Sequence, residues 1–314
     1  MNLQRAVAET KGRIVRNCPG TRHHICCGYK TIDLVEGCLL GCSYCILRAY
    51  LNTSGITIHD DIPYIVRQLE EAINAEDRHI LRFGTGELSD SLALERQLAL
   101  HQPLIEFFGK KKKALLEIKS KWASIAPVRA ALNPYTIVSF SLAPPRIIDQ
   151  EEKRTSPLHR RLRTLRQAQD LGCFVGIHLD PIIIYPGFEK DYQYLVDDIC
   201  RILDLKRVIW VSLGLLRFMP KLFNLFLVEG RRNLLHGEFV RGEDGKYRYI
   251  KAERIRVFKM VHDLFKERDS DLFVYLCMER ADVWKEALGM DMADSEELIH
   301  LFDNRVKALY GGIL

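Results

Sequence analysis

With 47% hydrophobic and 28% charged side chains in 314 residues, the chain has the apolar content for one large domain or two small ones, and its composition excludes disorder. No apolar run approaches the roughly 20 residues that span a bilayer. The opening stretch MNLQRAVAETKGRIVRN also lacks the apolar core of a signal peptide, so a cytoplasmic protein with no membrane partner is expected. A formal net charge of +5 permits an acidic partner such as nucleic acid without requiring one, and nine cysteines in a reducing compartment point to metal or redox use rather than a disulfide framework.

The first segment, 1–30, reads as an extension rich in cysteine and histidine: NCPGTRHHICCGYK carries Cys18, His23, His24, Cys26 and Cys27. These side chains suit either a second metal or a shield for the loop that follows, although neighbours such as Cys26 and Cys27 are poorly placed to ligate one ion. Short β-branched or apolar runs then alternate with helical patterns. The runs are TIDLVE (31–36), HILRFG (79–84), ALLEI (114–118), TIVSFSL (136–142), CFVGIHL (173–179), VIWVSLG (208–214) and LFVYLCM (272–278). Amphipathic helices are predicted over 60–76 and 155–172, the second with Ser156 as N-cap, Pro157 at the first helical position and Gly172 as terminator.

This alternation predicts parallel strands joined by crossover helices. A partial or complete βα barrel is favoured over an open doubly wound sheet, because no glycine-rich dinucleotide fingerprint follows the first strand. The pattern breaks at 229–252, where EFVRGEDGKYRYI (238–250) reads as a hairpin turning at Asp244-Gly245. Residues 281–314 read as terminal helices. The chain thus divides into an extension (1–30), a barrel that includes the hairpin (31–280) and a helical tail (281–314).

GCLLGCSYC (37–45) places Cys38, Cys42 and Cys45 on one glycine-flanked loop after the first strand. A zinc ribbon needs a second pair of ligands at matching spacing, and a closed ferredoxin-type cluster needs a fourth nearby cysteine; neither follows Cys45. Three thiolates can hold three irons of a four-iron cluster and leave the fourth open, and three buried or zinc-binding thiols are the alternative. The Cys-x3-Cys-x2-Cys spacing, with Tyr44 before the last cysteine, resembles the signature of the radical S-adenosylmethionine (SAM) superfamily.

That resemblance implies a partial (β/α)6-type barrel, a [4Fe-4S] cluster on Cys38, Cys42 and Cys45, and SAM chelated to the open iron. It also implies a reducing electron donor such as flavodoxin or ferredoxin. GTGE, with Gly84, Gly86 and Glu87 at the end of the second strand, resembles the glycine-rich motif that receives the SAM amino group, since glycine lets backbone approach a ligand and a carboxylate pairs with an ammonium. Tyr44, Lys121 and Ser141 complete the cofactor-binding set that the resemblance implies.

The order SKW, SFSL, RTSPLHRRL, GCFVGIHLDPIIIYPGFEKDY and VSLGLLRF, then a hairpin and a helix, is similar to the spore photoproduct lyase family. Members of that family split a thymine dimer in DNA. The implied activity is reductive cleavage of SAM to a 5'-deoxyadenosyl radical and hydrogen abstraction from a pyrimidine dimer: a lyase in DNA repair. The alternatives are radical chemistry on RNA or a small molecule, or a nucleic-acid-binding protein with a structural metal site.

One departure bears on the reaction. The family's hydrogen-donating cysteine lies a few residues before a Ser-Asp pair; here Ser89-Asp90 is present, but Glu87 takes the cysteine's position. Cys277, at the end of a late strand, is the candidate substitute, with core packing as its alternative. Tyr185, which stands with His178 and Asp180 at the end of the fifth strand, is a candidate hydrogen relay, and a hydroxyl bonded to backbone is its alternative. Cys173 and Cys200 are read as packing.

Along the hairpin, alternation sends Arg241, Lys246, Arg248 and Lys251 toward phosphates and Phe239, Tyr247 and Tyr249 toward bases; the alternative is a solvated edge ribbon guarded by charge. The lysines of GKKKKALLEIKSK (109–121) are read mostly as a solvated rim, and HRRLRTLRQ (159–167) as plain surface. By the same resemblance, Arg161 pairs with Glu152.

Overall fold

The computed structural model describes residues 6–7, 12–21, 23–51 and 55–311; parts of the predicted 1–30 extension and the last three residues of the tail lie outside these. Eight strands form the main sheet: β1 (Val15–Asn17), β2 (Lys30–Ile32), β3 (Leu81–Thr85), β4 (Ala114–Ser120), β5 (Thr136–Ser141), β6 (Val175–Ile182), β7 (Val208–Leu215) and β8 (Val274–Leu276). They lie side by side in chain order. Strands β2 to β8 are all parallel, and β1 runs antiparallel to β2. Parallel neighbours need a crossover, and its fixed hand winds successive strands the same way around a barrel.

Helices Ile62–Asn74, His101–Lys111, Leu158–Asp170, Phe188–Ile202 and Lys251–Lys266 supply the covering layer. With helices on one side and the barrel interior on the other, β7 has all eight of its residues buried, which explains its near-continuous apolar sequence. The predicted alternation fails once: β4 and β5 are joined by turns with no α-helix between them.

Two local expectations are corrected. TIDLVE is not one strand but two, Lys30–Ile32 and Val35–Glu36, in different sheets. The break falls where Asp33 turns to accept Arg16 Nε at 2.8 Å and Leu34 N–H closes a tight turn onto the Ile32 carbonyl at 3.0 Å. The 155–172 helix begins at Leu158, because the Ser156 hydroxyl accepts the Ala123 N–H at 2.8 Å instead of capping its own helix.

Two segments complete the barrel. The stretch before β2 spans its open seam: Ile25 N–H donates to the Glu279 carbonyl just beyond β8 at 2.9 Å, and Arg82 of β3 donates to the Cys27 carbonyl. The last helix, Ser295–Tyr310, predicted as a tail, caps the N-terminal mouth. Arg305 donates to the Val208 carbonyl at 2.8 Å, Tyr310 to the Pro134 carbonyl at 2.5 Å, and Asp303 accepts the Ile80 N–H at 3.0 Å.

The barrel interior carries a buried polar layer below the functional end. Glu117 Oε1 lies 2.8 Å from His178 Nε2 and accepts from Trp210 Nε1 at 3.1 Å and from the Ser139 hydroxyl. Gly176 makes room for it: a Cβ there would stand 2.2 Å from Ser139 Oγ and 2.6 Å from Trp210 Nε1. Burial pushes the Glu117 carboxyl up, but the His178 charge and these hydrogen bonds outweigh it and hold the group at about 2.

Candidate active site

The C-terminal ends of the strands and the cysteine loop enclose a cavity of about 350 Å3. Its wall includes Cys38, Cys42 and Cys45, Gly86 and Glu87 after β3, Lys119 from β4 and Lys121 just after it, Ser141 from β5, Asp180 from β6, Arg217 after β7 and Met278 after β8. This is the barrel end at which strand termini converge on a ligand.

The cysteine loop is held by its surroundings. Gly37 (φ +102°) and Gly41 (φ +66°) take backbone conformations that suit glycine, and a Cβ on Gly37 would lie 2.8 Å from the Gly55 carbonyl. Ser43 N–H donates to the Glu151 carbonyl at 2.9 Å, and Arg48 to the Ser43 carbonyl at 2.7 Å. All three thiols are free.

Among the described residues, the one set of three Cys, His, Asp or Glu side chains whose ligand atoms lie within 4.8 Å of one another involves none of these cysteines. The three sulfurs therefore share a cavity without converging on one point. A tetrahedral zinc, with Zn–S bonds of about 2.3 Å, draws its sulfurs closer together than that. Sulfurs that each bind a separate iron are spaced more widely, and three free thiols lining one cavity are compatible with such a cluster. Burial pushes Cys38 up to about 11 and Cys42 up to about 12, so the thiolate forms call for a strong cationic partner.

Beside the loop lies a buried ionic network. Lys121 Nζ donates to Glu152 Oε1 at 2.8 Å and to the Tyr44 hydroxyl, and Tyr44 and Arg161 also donate to Glu152. Burial favours the neutral acid, but Lys121 and Arg161 overcome it and hold Glu152 at about 2. The pairing of Arg161 with Glu152 is as the family resemblance implies. Lys121 and Tyr44 face the cavity, but their polar ends are engaged with each other and with Glu152.

Gly86 (φ +93°) is closely hemmed, since a Cβ would stand 2.6 Å from the Lys119 carbonyl. Its neighbour Glu87 lies 3.5 Å from Lys119 Nζ. Burial opposes the charge of Lys119, but Glu87, Glu117 and Asp180 together raise its pKa above the usual lysine value. Asp90 fastens this turn to β4, accepting the Ser120 hydroxyl at 2.8 Å and the Lys121 N–H at 2.6 Å.

Several expected site residues stand elsewhere. Gly84 is not on the cavity wall; its Cβ position falls 1.3 Å from the Tyr29 hydroxyl, so tyrosine packing requires the glycine. Tyr185 is buried off the cavity, and its hydroxyl donates to Asp191 at 2.9 Å rather than to backbone. Cys277 sits behind the wall with Sγ 3.7 Å from Arg217, while the next residue, Met278, reaches the cavity. Cys18, Cys26 and Cys27 are not among the described side chains that gather three ligand atoms within 4.8 Å of one another. The Cys27 thiol donates to Cys26, the largest cause holding Cys26 at about 7.

The hairpin also differs from expectation. Strands Phe239–Arg241 and Tyr247–Tyr249 form as predicted, but the second also pairs with Arg217–Phe218. Phe239, Tyr247 and Tyr249 pack into an aromatic cluster with Phe218 and Phe223 and do not project toward bases. Lys246 is buried on the cavity wall, and Arg248 is buried against Asp244 at 2.7 Å. Of the four predicted phosphate contacts, Arg241 is exposed on the hairpin. Lys251 opens a helix and is paired with Asp282 and Glu286 at 2.8 and 2.6 Å.

Lys119 was missed by treating the β4 lysines as a rim. The signal was present in ALLEIKSK, where Glu117, Lys119 and Lys121 alternate along one face of a strand. Arg217 had no sequence signal; only the fold brings it to Asp180, at 3.1 Å.

Comparison with known proteins decides the lineage. A family model described as spore photoproduct lyase matches residues 26–218, more than half of the chain. The chain belongs to the spore photoproduct lyase family. A curated relative, the spore photoproduct lyase of Clostridium acetobutylicum, is 29% identical over 171 residues, covering 52% of this chain and 50% of the relative. The chain thus spans about half the length of the curated relatives it matches.

Solved spore photoproduct lyase variants share the fold. One, with dinucleoside spore photoproduct, superposes at a TM-score of 0.75 with 22% identity, covering 86% of this chain and 80% of the other. A second, with bound AdoMet and the same dinucleoside, gives 0.71 at 23% identity over 77% and 75% of the two chains. The family's partial radical SAM barrel is the architecture described above. No helix among the described residues is long and apolar enough to cross a membrane.

Proposed function

We propose that this protein is a radical SAM enzyme of the DNA-repair lyase type. In this reading Cys38, Cys42 and Cys45 hold a [4Fe-4S] cluster, S-adenosylmethionine occupies the adjoining cavity, and a pyrimidine dimer in DNA is the substrate. One observation carries it: three free cysteines line one cavity without converging on a point, and among the described residues no other cysteine lies on that wall. The dinucleoside spore photoproduct bound by solved relatives supports the substrate.

Cluster and SAM together supply reductive SAM cleavage and a 5'-deoxyadenosyl radical that abstracts hydrogen, driven by an electron donor of the flavodoxin or ferredoxin class. The chain's own residues bind and orient. Gly86 keeps the backbone open to a close ligand, and Glu87 offers a carboxylate for the SAM ammonium. Ser141 presents a hydroxyl for the ribose. Lys121 and Tyr44, locked by Glu152, wall the cluster side. Around the wall Lys119, Lys121, Arg217 and Lys246 outnumber the acids Glu87, Asp90 and Asp180 by one, which suits an anionic substrate.

A second reading, radical chemistry on RNA or a small molecule, draws on Glu87 in the position of the donor cysteine and on Cys277 lying behind the wall. One experiment separates the two. Anaerobic reconstitution is expected to give about four irons per chain. The reduced protein then releases 5'-deoxyadenosine from SAM, and Cys42→Ala abolishes both. Dinucleoside spore photoproduct deuterated at the abstracted position passes its label to deoxyadenosine if the first reading holds. Deoxyadenosine without label transfer moves the substrate to the second class, and zinc without iron rejects both.

A further inference from the structure

A second group of metal-ligating side chains lies at the opposite end of the barrel from the cysteine loop. The capping helix Ser295–Tyr310 carries Glu296, His300 and Asp303 at i, i+4 and i+7, one stripe of its surface. The stripe meets His79, two residues before β3. One ring nitrogen of His79, one of His300 and one carboxylate oxygen of Asp303 lie within 4.8 Å of one another.

The group is held from below and open from above. Asp303 is 3% exposed. Its carboxylate is fixed by the Ile80 N–H at 3.0 Å on one oxygen and lies 2.8 Å from His79 Nδ1 through the other. Across the ring, His79 Nε2 stands 3.0 Å from Glu296 Oε1. The His300 ring approaches His79 edge-on with centroids 5.0 Å apart, and His300 is exposed.

A neutral imidazole has one N–H and satisfies one of its two flanking carboxylates. Arg78 Nη1 also lies 3.3 Å from Glu296 Oε1, so charge balance alone does not choose between a proton on His79 and a metal ion. The second imidazole favours the metal: beside a protonated His79, His300 gains no hydrogen bond from that ring edge, whereas two nitrogens and a carboxylate oxygen on facing elements form a donor set suited to zinc and its neighbours. We propose that His79, His300 and Asp303, with Glu296 adjoining, bind a divalent transition-metal ion of the zinc class. The ion pins the capping helix to the start of β3, the strand whose far end carries Gly86 and Glu87.

The test uses the full chain as isolated, freed of loose metal by a mild chelator and desalting, then titrated anaerobically with zinc chloride against a chromophoric chelator. Wild type is compared with His300→Ala, an exposed position whose loss leaves the core intact, and with Glu296→Gln. Zinc captured by the cysteines is common to all three proteins and cancels. Wild type is expected to hold about one more zinc per chain than His300→Ala. Its thermal midpoint is expected to rise with zinc while that of His300→Ala does not. Equal zinc content and equal midpoints in the two proteins overturn the proposal and leave a protonated His79 between two carboxylates.

Discussion

Lys121 reaches Glu152 at 2.8 Å across the wall of the cavity, and Arg161 grips the same carboxylate from the other side. Two cations thus depend on one buried acid. Replacing Glu152 by Gln leaves both without an anion, and breaking a buried pair from one side costs about 3–5 kcal/mol. Urea unfolding of Glu152→Gln is expected to show a loss of that size. A change within about 0.5 kcal/mol would show that the network contributes nothing to the fold.

The interior carboxylate of Glu117 gives a pH dependence of known sign. Held at about 2 against an ordinary value of 4.5, it contributes stability that is present above pH 4.5 and lost as the pH falls toward 2. The gap between wild type and Glu117→Gln in unfolding free energy, about 3 kcal/mol from a shift of this size, should therefore be full at neutral pH and shrink on acidification. A gap that stays constant from pH 6 to pH 3 contradicts the assignment.

Gly84 and Gly86 differ in what a methyl group would strike. Gly84→Ala meets the Tyr29 side chain, so it is expected to cost about 1–3 kcal/mol in the wild type and less in a Tyr29→Ala background, where the clash is gone. Gly86→Ala meets the Lys119 backbone at positive φ, where no side-chain change gives relief. Thermal melts of Gly84→Ala, Gly86→Ala, Tyr29→Ala and the Gly84→Ala, Tyr29→Ala double variant distinguish these cases.

The hairpin predicts a separation of roles. Arg241 is exposed, so Arg241→Gln should weaken duplex binding and lower its salt slope by about 1. Lys246 faces the cavity, so Lys246→Met should leave the slope for undamaged duplex unchanged while altering SAM-dependent turnover of the lesion. Gel shifts at several salt concentrations, beside deoxyadenosine release, read both. Identical slopes for Arg241→Gln and wild type remove the hairpin from the DNA surface.

Features that short segments encode were legible before the fold was known. Cysteine spacing, strand and helix periodicity, the Asp244-Gly245 turn and the succession of parallel strands all follow from local stereochemistry, because contacts a few residues apart decide them. The three-cysteine loop pointed to an open cluster site for the same reason: its ligands sit within one turn of chain. Tertiary structure alone decided which polar groups share a cavity. Arg217 meets Asp180, Cys277 is set behind Arg217, and the last helix brings His300 and Asp303 to His79, because those pairings join residues tens to hundreds of positions apart. Barrel closure sets the register and facing of such residues, and no pattern within a single element encodes which distant partner it will meet.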